Sequence, residues 1–182
     1  MKKKSIGKLN SVIYFEECVE NSYSKDSLGG YTTYWIPAFG ESDTAEATTS
    51  TTNIKMTTHG MSNGDYIINT SRSNNIKSIT KVDDNNVTVA AITGQTTGDT
   101  ITKRMYSYSK AWANITPKSV NSFMEEQKKV SRTTHTVEIR YRSGITTKLR
   151  IKYGTRYFEI LSLIDIDEGS QRMKLECREL IS

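Results

Sequence analysis

Four stretches decide the fold class of this chain: Thr134-His135-Thr136-Val137-Glu138-Ile139-Arg140-Tyr141-Arg142, then Leu149-Arg150-Ile151-Lys152-Tyr153, then Arg156-Tyr157-Phe158-Glu159-Ile160, and last Leu175-Glu176-Cys177-Arg178-Glu179. Each alternates apolar and polar residues, and a period of two predicts a half-buried strand. Over 133–141, Val137, Ile139 and Tyr141 share one face while Glu138 and Arg140 share the other. Over 148–153, Leu149, Ile151 and Tyr153 point one way and Lys148, Arg150 and Lys152 the other. Residues 156–164 are apolar on both faces, Phe158, Ile160 and Ile164 against Tyr157, Leu161 and Leu163, as in a central strand. Residues 172–178 set Met173, Leu175 and Cys177 against Lys174, Glu176 and Arg178, with a turn over 165–171.

Working outward, Trp112 to Ile115 reads as a further strand of the same sheet. Thr116-Pro117 opens a helix, with a cap followed by Pro in the first turn. Val120, Phe123 and Met124 form its apolar face, Glu125 and Lys129 its wet face, and it ends near Lys129. Near the start of the chain, 11–17 and 30–36 are rich in aromatic and β-branched residues and read as two strands. A polar hairpin loop, 21–30, joins them. About six strands and one short helix predict a mainly β fold, a small antiparallel barrel or sandwich.

The middle of the chain differs. Pro37 and Gly40 break the second strand, and Thr and Ser then dominate 37–58, which reads as a loop or linker. Residues 59–110 read as an inserted β-rich subdomain. Its strands lie at 66–69, 79–82 and 87–89, the last two flanking the turn Asp83-Asp84-Asn85-Asn86. The expected domains are therefore a discontinuous core of 1–36 and 111–182, the 37–58 segment, and the 59–110 insertion.

Charge is unevenly placed. Nine Lys or Arg stand against the single acid Glu138 between Lys128 and Arg156, a local net of +8 in a chain whose total is +5. From 157 to 182 the balance is −3, and over 37–110 it is zero. Arg140, Arg142, Lys148, Arg150 and Lys152 are expected to form one outward band across a strand pair. Three roles stand open for it: a solvated face, contact with an acidic neighbour such as the 165–168 turn, or contact with DNA. Trp35, Trp112, Phe123 and Met124 are candidate interface anchors. For both tryptophans the expectation is core packing, as for most large aromatics in strands.

Nothing points to catalysis. His59 and His135 lack ligand-spaced carboxylates or cysteines, so a core or interface role is expected for His135 rather than metal binding. No Gly-x-Ser-x-Gly or phosphate loop occurs, and Asp83-Asp84 is explained by turn chemistry. No metal or cofactor is expected, and the chain reads as no enzyme. Cys18 and Cys177 are too few and too distant for a zinc site and are expected to be reduced thiols. No signal-peptide pattern or spanning apolar run is seen, so a soluble protein made in a cytoplasm is expected, with no membrane partner.

An ordered set of short motifs resembles the head–tail adaptor, or head-closure (stopper), family of long-tailed bacteriophages. It begins with Ile6-Gly7-Lys8-Leu9 and the Gly29-Gly30…Trp35 loop exit, then Trp112-Ala113-Asn114-Ile115, Thr134-His135, Ile139-Arg140-Tyr141-Arg142 and Gly144-Ile145. It ends with Arg150-Ile151, Tyr153, Arg156-Tyr157-Phe158-Glu159-Ile160, Asp165 and Glu176-Cys177-Arg178-Glu179. It covers 5–36 and 111–181. The family passes between the two flanking strands in a short loop, where this chain carries 37–110. Within that insertion, His59-Gly60-Met61-Ser62-Asn63-Gly64-Asp65-Tyr66 looks like a small β module of other phage structural proteins.

The resemblance implies a ring-forming barrel subunit of the virion, assembled in the host cytoplasm. It would sit below the portal and adaptor rings, keep the packaged DNA in, and offer the tail a docking surface. It implies a channel-gating loop within 37–58, with Ser42, Thr44, Thr48, Thr49, Thr51 and Thr52 as candidates. The alternatives are a tail-completion or tail-terminator ring subunit, and an oligonucleotide-binding barrel using Arg140, Arg142, Lys148 and Arg150. The last should place exposed aromatics among those cations. Tyr141 and Tyr153 lie on the opposite face from most of them.

Overall fold

The computed structural model describes residues 9–46, 52–92, 94–118, 134–166 and 169–180. In chain order the strands are β1 (Ser11–Lys25), β2 (Tyr31–Pro37), β3 (Gly40–Thr44), β4 (Asn53–Lys55), β5 (Tyr66–Asn69), β6 (Asn75–Lys81), β7 (Asn86–Val89) and β8 (Thr100–Arg104). A four-residue helix α1 (Tyr106–Ser109) leads to β9 (Lys110–Pro117), β10 (His135–Arg140), β11 (Leu149–Tyr153), β12 (Arg156–Ile166) and β13 (Arg172–Leu180). Among the described residues the fold is mainly β, with curled antiparallel sheets, this one short α-helix and a 3-10 turn at Thr70–Arg72. Thr116 and Pro117, expected to open a helix, instead end β9, paired with Thr136 and His135 of β10. The rest of the expected helix, with Val120, Phe123 and Met124, lies outside the described residues.

The chain divides into two compact units, 1–16 with 110–182, and 17–109. The strand row of the first unit runs β11-β12-β13-β10-β9-β1, with β2 following on β1, and β11 also pairs with β1. Val137 pairs with Leu175 on one side and Ile115 on the other, and Ile139 sits between Met173 and Ala113. Val137, Ile139, Leu175 and Ala113 are buried, as are Ile13, Phe15, Ile151, Phe158, Ile160 and Cys177. Burying each larger side chain of this set is worth about 1.5–3 kcal/mol.

Residues 156–164 are apolar on both faces for a local reason. The β12–β13 register shifts between Ile160 and Ser162, which marks a bulge. Such an extra residue reverses the phase of everything beyond it. Phe158 and Ile160 therefore face the core, while Leu163 opposes Leu175 and Ile164 opposes Lys174 at the surface, 48% exposed. Ile164 does not share a face with Phe158 and Ile160, as strict alternation had predicted.

The second unit holds a six-stranded sheet in the order β3-β8-β5-β6-β7-β4. Its core contains Ile54, Met56, Met61, Ile67, Val87 and Ile101, all within 1% of full burial. Two of its strands, β3 and β4, fall in the Thr/Ser-rich stretch that composition reads as loop. Thr is β-branched and suits a strand once a partner is present, and β3 has one in β8. Gly40 is required there: a Cβ on it would lie 1.7 Å from the Lys103 carbonyl oxygen. Beyond it, the buried Lys103 ammonium meets Glu41 at 2.7 Å and Asp43 at 2.9 Å. Burial presses its pKa down, but the two carboxylates outweigh that and raise it.

Asp99 organises the turn before β8. Arg72 donates to it from Nε at 3.0 Å and Nη2 at 3.1 Å, Asn69 Nδ2 at 2.9 Å and the Thr96 hydroxyl at 3.1 Å. Burial alone would push this carboxyl up, but these donors hold it at about 2. Buried His59 is structural too. Its Nδ1 accepts from the Met61 N–H at 2.9 Å, so Nε2 carries the proton donated to the Asp83 carbonyl at 2.8 Å.

Candidate interface

The predicted basic band does not form one strand pair. β12 and β13 lie between β10 and β11 in the sheet, so Arg140 and Arg142 are separated from Lys148, Arg150 and Lys152. The link 141–148 is a crossing, not a hairpin turn, because β13 takes the place beside β10. Local sequence carries no mark of that long-range choice.

The two halves also differ in electrostatics. Glu16 on β1 is only 1% exposed. Arg150 grips it from Nε at 2.8 Å and Nη2 at 2.7 Å, and Lys152 Nζ lies 3.6 Å away. The Arg150 guanidinium also stacks over Tyr157, 4.2 Å from the ring centre. This pair ties β11 to β1, two strands that also pair with each other in the sheet. Two of the five residues of the predicted band, Arg150 and Lys152, are therefore internal glue, while Lys148 is exposed.

At the other end of the sheet the cations gather around a tryptophan. Arg140 pairs directly with Arg172 across β10 and β13. Ile139 pairs with Ala113, so the next residue, Arg140, falls beside Trp112. Directly opposite residues share a face. Trp112 is 53% exposed and pairs with Val12, while inward Ala113 is fully buried. Lys110 Nζ lies 5.8 Å from the Trp112 ring centre, and Arg142 donates to the Lys110 carbonyl at 3.4 Å. Burial lowers the pKa of Arg142. The core expectation for the tryptophans is thus corrected: Trp112 lies on the outer face, and Trp35 is 37% exposed. Alternation against Ala111 and Ala113 was the available signal, and residue size was the wrong one.

The opposite end of the same strands is closed by paired groups. Arg156 clasps Glu179 with Nε at 2.6 Å and Nη2 at 2.7 Å, and Nη2 also donates to His135 Nε2 at 3.1 Å. His135 Nδ1 donates to Thr134 Oγ1 at 2.9 Å, and the ring meets Phe158 edge-on with centres 5.0 Å apart. With Nε2 accepting, the ring is neutral, and burial lowers its pKa. Cys177 is buried and its thiol is pushed up to about 12, whereas Cys18 is exposed. Among the described residues no cluster of three or more His, Cys, Asp or Glu is arranged to hold a metal, and no helix is long and apolar enough to cross a membrane.

Of the gating candidates, Ser42 and Thr44 lie in β3 opposite Thr102 and Thr100. The Thr52 carbonyl accepts the Val89 N–H at 2.9 Å. Thr48, Thr49 and Thr51 lie outside the described residues.

Residues 76–180, from within β6 to the end of β13, match the phage head completion protein family. The chain belongs to that family. It is a non-catalytic structural phage protein of the head and tail region. The head completion match takes in 76–110 as well as the strands 111–180, so it reaches into the segment read from sequence as an insertion. No curated protein matches the chain.

Proposed function

We propose that this head completion protein is a head-closure subunit, a closed β-barrel that assembles into a ring below the portal or adaptor, retains the DNA and receives the tail. The observation that carries the proposal is the family match over 76–180, supported by the additional β11–β1 pairing in the seven-stranded sheet. A sheet curled so that β11 meets β1 leaves fewer free edges to aggregate, which suits a subunit handled as a monomer before it docks. Its partners on this reading are the portal or adaptor ring, the tail-completion or tail proteins, and further copies of itself in the virion. The core is taken as 1–36 with 111–182, and the 37–58 stretch as the channel-side gate. The gate is tested by replacing 47–51 with Gly and Ser, since deleting more would remove β3 or β4. Unchanged DNA retention in heads carrying that variant would remove the gating role.

Binding distinguishes closure from tail completion. Purified protein mixed with DNA-filled tailless heads should co-sediment with them, and should not bind finished tails first. Co-sedimentation with tails alone would move the assignment to a tail-completion ring.

A further inference from the structure

In the first unit, 18 Lys and Arg stand against 10 acids, and in the second 7 against 10, so the basic surplus of the chain lies wholly in the first. Most described strand cations there are already matched: Arg150 and Lys152 by Glu16, Arg156 by Glu179, Lys174 by Glu176 and Arg178 by Glu159. Arg140 and Arg172 are not, among the described residues. They face each other directly across two strands, an arrangement that costs stability in the free protein. An anion lying between them would remove that cost. The half-exposed Trp112 lies next in the row, with Lys110 against its ring.

Four of the ten acids of the second unit are already held within it, Glu41 and Asp43 by Lys103, Asp84 by Lys81 and Asp99 by Arg72, and an acidic protein surface is an outcome the test below distinguishes. A polyphosphate chain carrying flat rings supplies what the surface lacks, since phosphates pair with guanidinium groups and bases stack on indole. We propose that Trp112, Arg140 and Arg172 form a DNA-strand binding site, with the two arginines on phosphates and the indole against an unpaired base. Its chemistry is independent of the head-closure reading, since packaged DNA is duplex and the indole takes an unpaired base.

The test uses the full chain and a fluorescent oligothymidine of about 15 nucleotides, within the usual site size of strand-binding proteins. Saturable binding at low salt is expected, with quenching of Trp112 followed in a Trp35→Phe background. Arg140→Glu should weaken binding about tenfold or more, while Lys77→Glu, an equal charge change in the second unit, should do far less. Replacing both arginines should flatten the salt dependence by about 1.4 in log–log slope, the amount for two strand phosphates. Trp112→Ala should weaken single-strand binding and leave duplex binding nearly unchanged. Absence of saturable binding, equal damage from Lys77→Glu, or displacement of the DNA by polyglutamate at matched charge would overturn the site, the last in favour of an acidic protein. Binding is read on purified protein and closure on heads, so either reading can fail alone.

Discussion

Glu16→Gln is the most informative single change in the first unit. It removes one charge and almost no volume from a side chain that is 1% exposed and bonded to Arg150 at 2.7 and 2.8 Å. Arg150 then keeps its charge in a site where its side chain is 17% exposed. Stranding one partner of a buried pair costs about 3–5 kcal/mol, and the partial exposure of Arg150 argues for about 3. For a unit of this size each kcal/mol lowers the melting point by about 4–8 °C, so the transition of the first unit should fall by about 12–24 °C. Differential scanning calorimetry reads this directly, and hydrogen exchange at β11 and β1 should show where protection is lost. The Glu16→Met/Arg150→Met double variant should recover most of the loss, because an apolar pair replaces the buried ion pair and the only cation left without Glu16, Lys152, is 31% exposed. A Glu16→Gln shift under about 1 °C would refute the claim that this pair holds β11 to β1.

Three further outcomes follow from the same reasoning. Gly40→Ala should abolish β3 pairing, since the Cβ meets backbone at 1.7 Å and no rotamer relieves it; lost amide protection across β3 and β8 would show this, and an unperturbed spectrum would contradict it. Asp99 has a folded pKa of about 2, below its ordinary 3.8, so its stabilisation is present above 3.8 and lost as the pH falls through about 2. That difference is worth about 2 kcal/mol, and Asp99→Asn should remove both the stability and the acid sensitivity in urea melts. His135 is also depressed, from 6.5, so its contribution is complete above 6.5 and fades as the pH drops below it. His135→Gln should flatten that acid limb, and an unchanged limb would show that the ring is not the group responsible.

The strands of the last third were legible because each carries its own period of two, and Val137, Ile139, Leu149, Ile151 and Leu175 face inward as that period requires. What failed was non-local. No residue between Arg140 and Leu149 signals that β13 will occupy the place beside β10, so the basic band was drawn across strands that do not touch. The bulge after Ile160 hid the outward turn of Ile164 behind a run that is apolar throughout. β3 and β8 were missed because Gly40, Glu41 and Asp43 look like loop until Lys103 is placed opposite them. Trp112 was misjudged by size, although small Ala on either side marks it as the outward residue. Glu16 gave no sign of its role, since a lone carboxylate at a strand position reads as surface until Arg150, 134 residues away, covers it.

Head closure itself is tested most directly on heads that lack this protein. DNA-filled tailless heads prepared without it should leak their genome and become nuclease-sensitive. Adding the purified chain should restore retention and allow tails to join. Heads that hold their DNA equally well without the chain, or leak equally with it, would contradict the account.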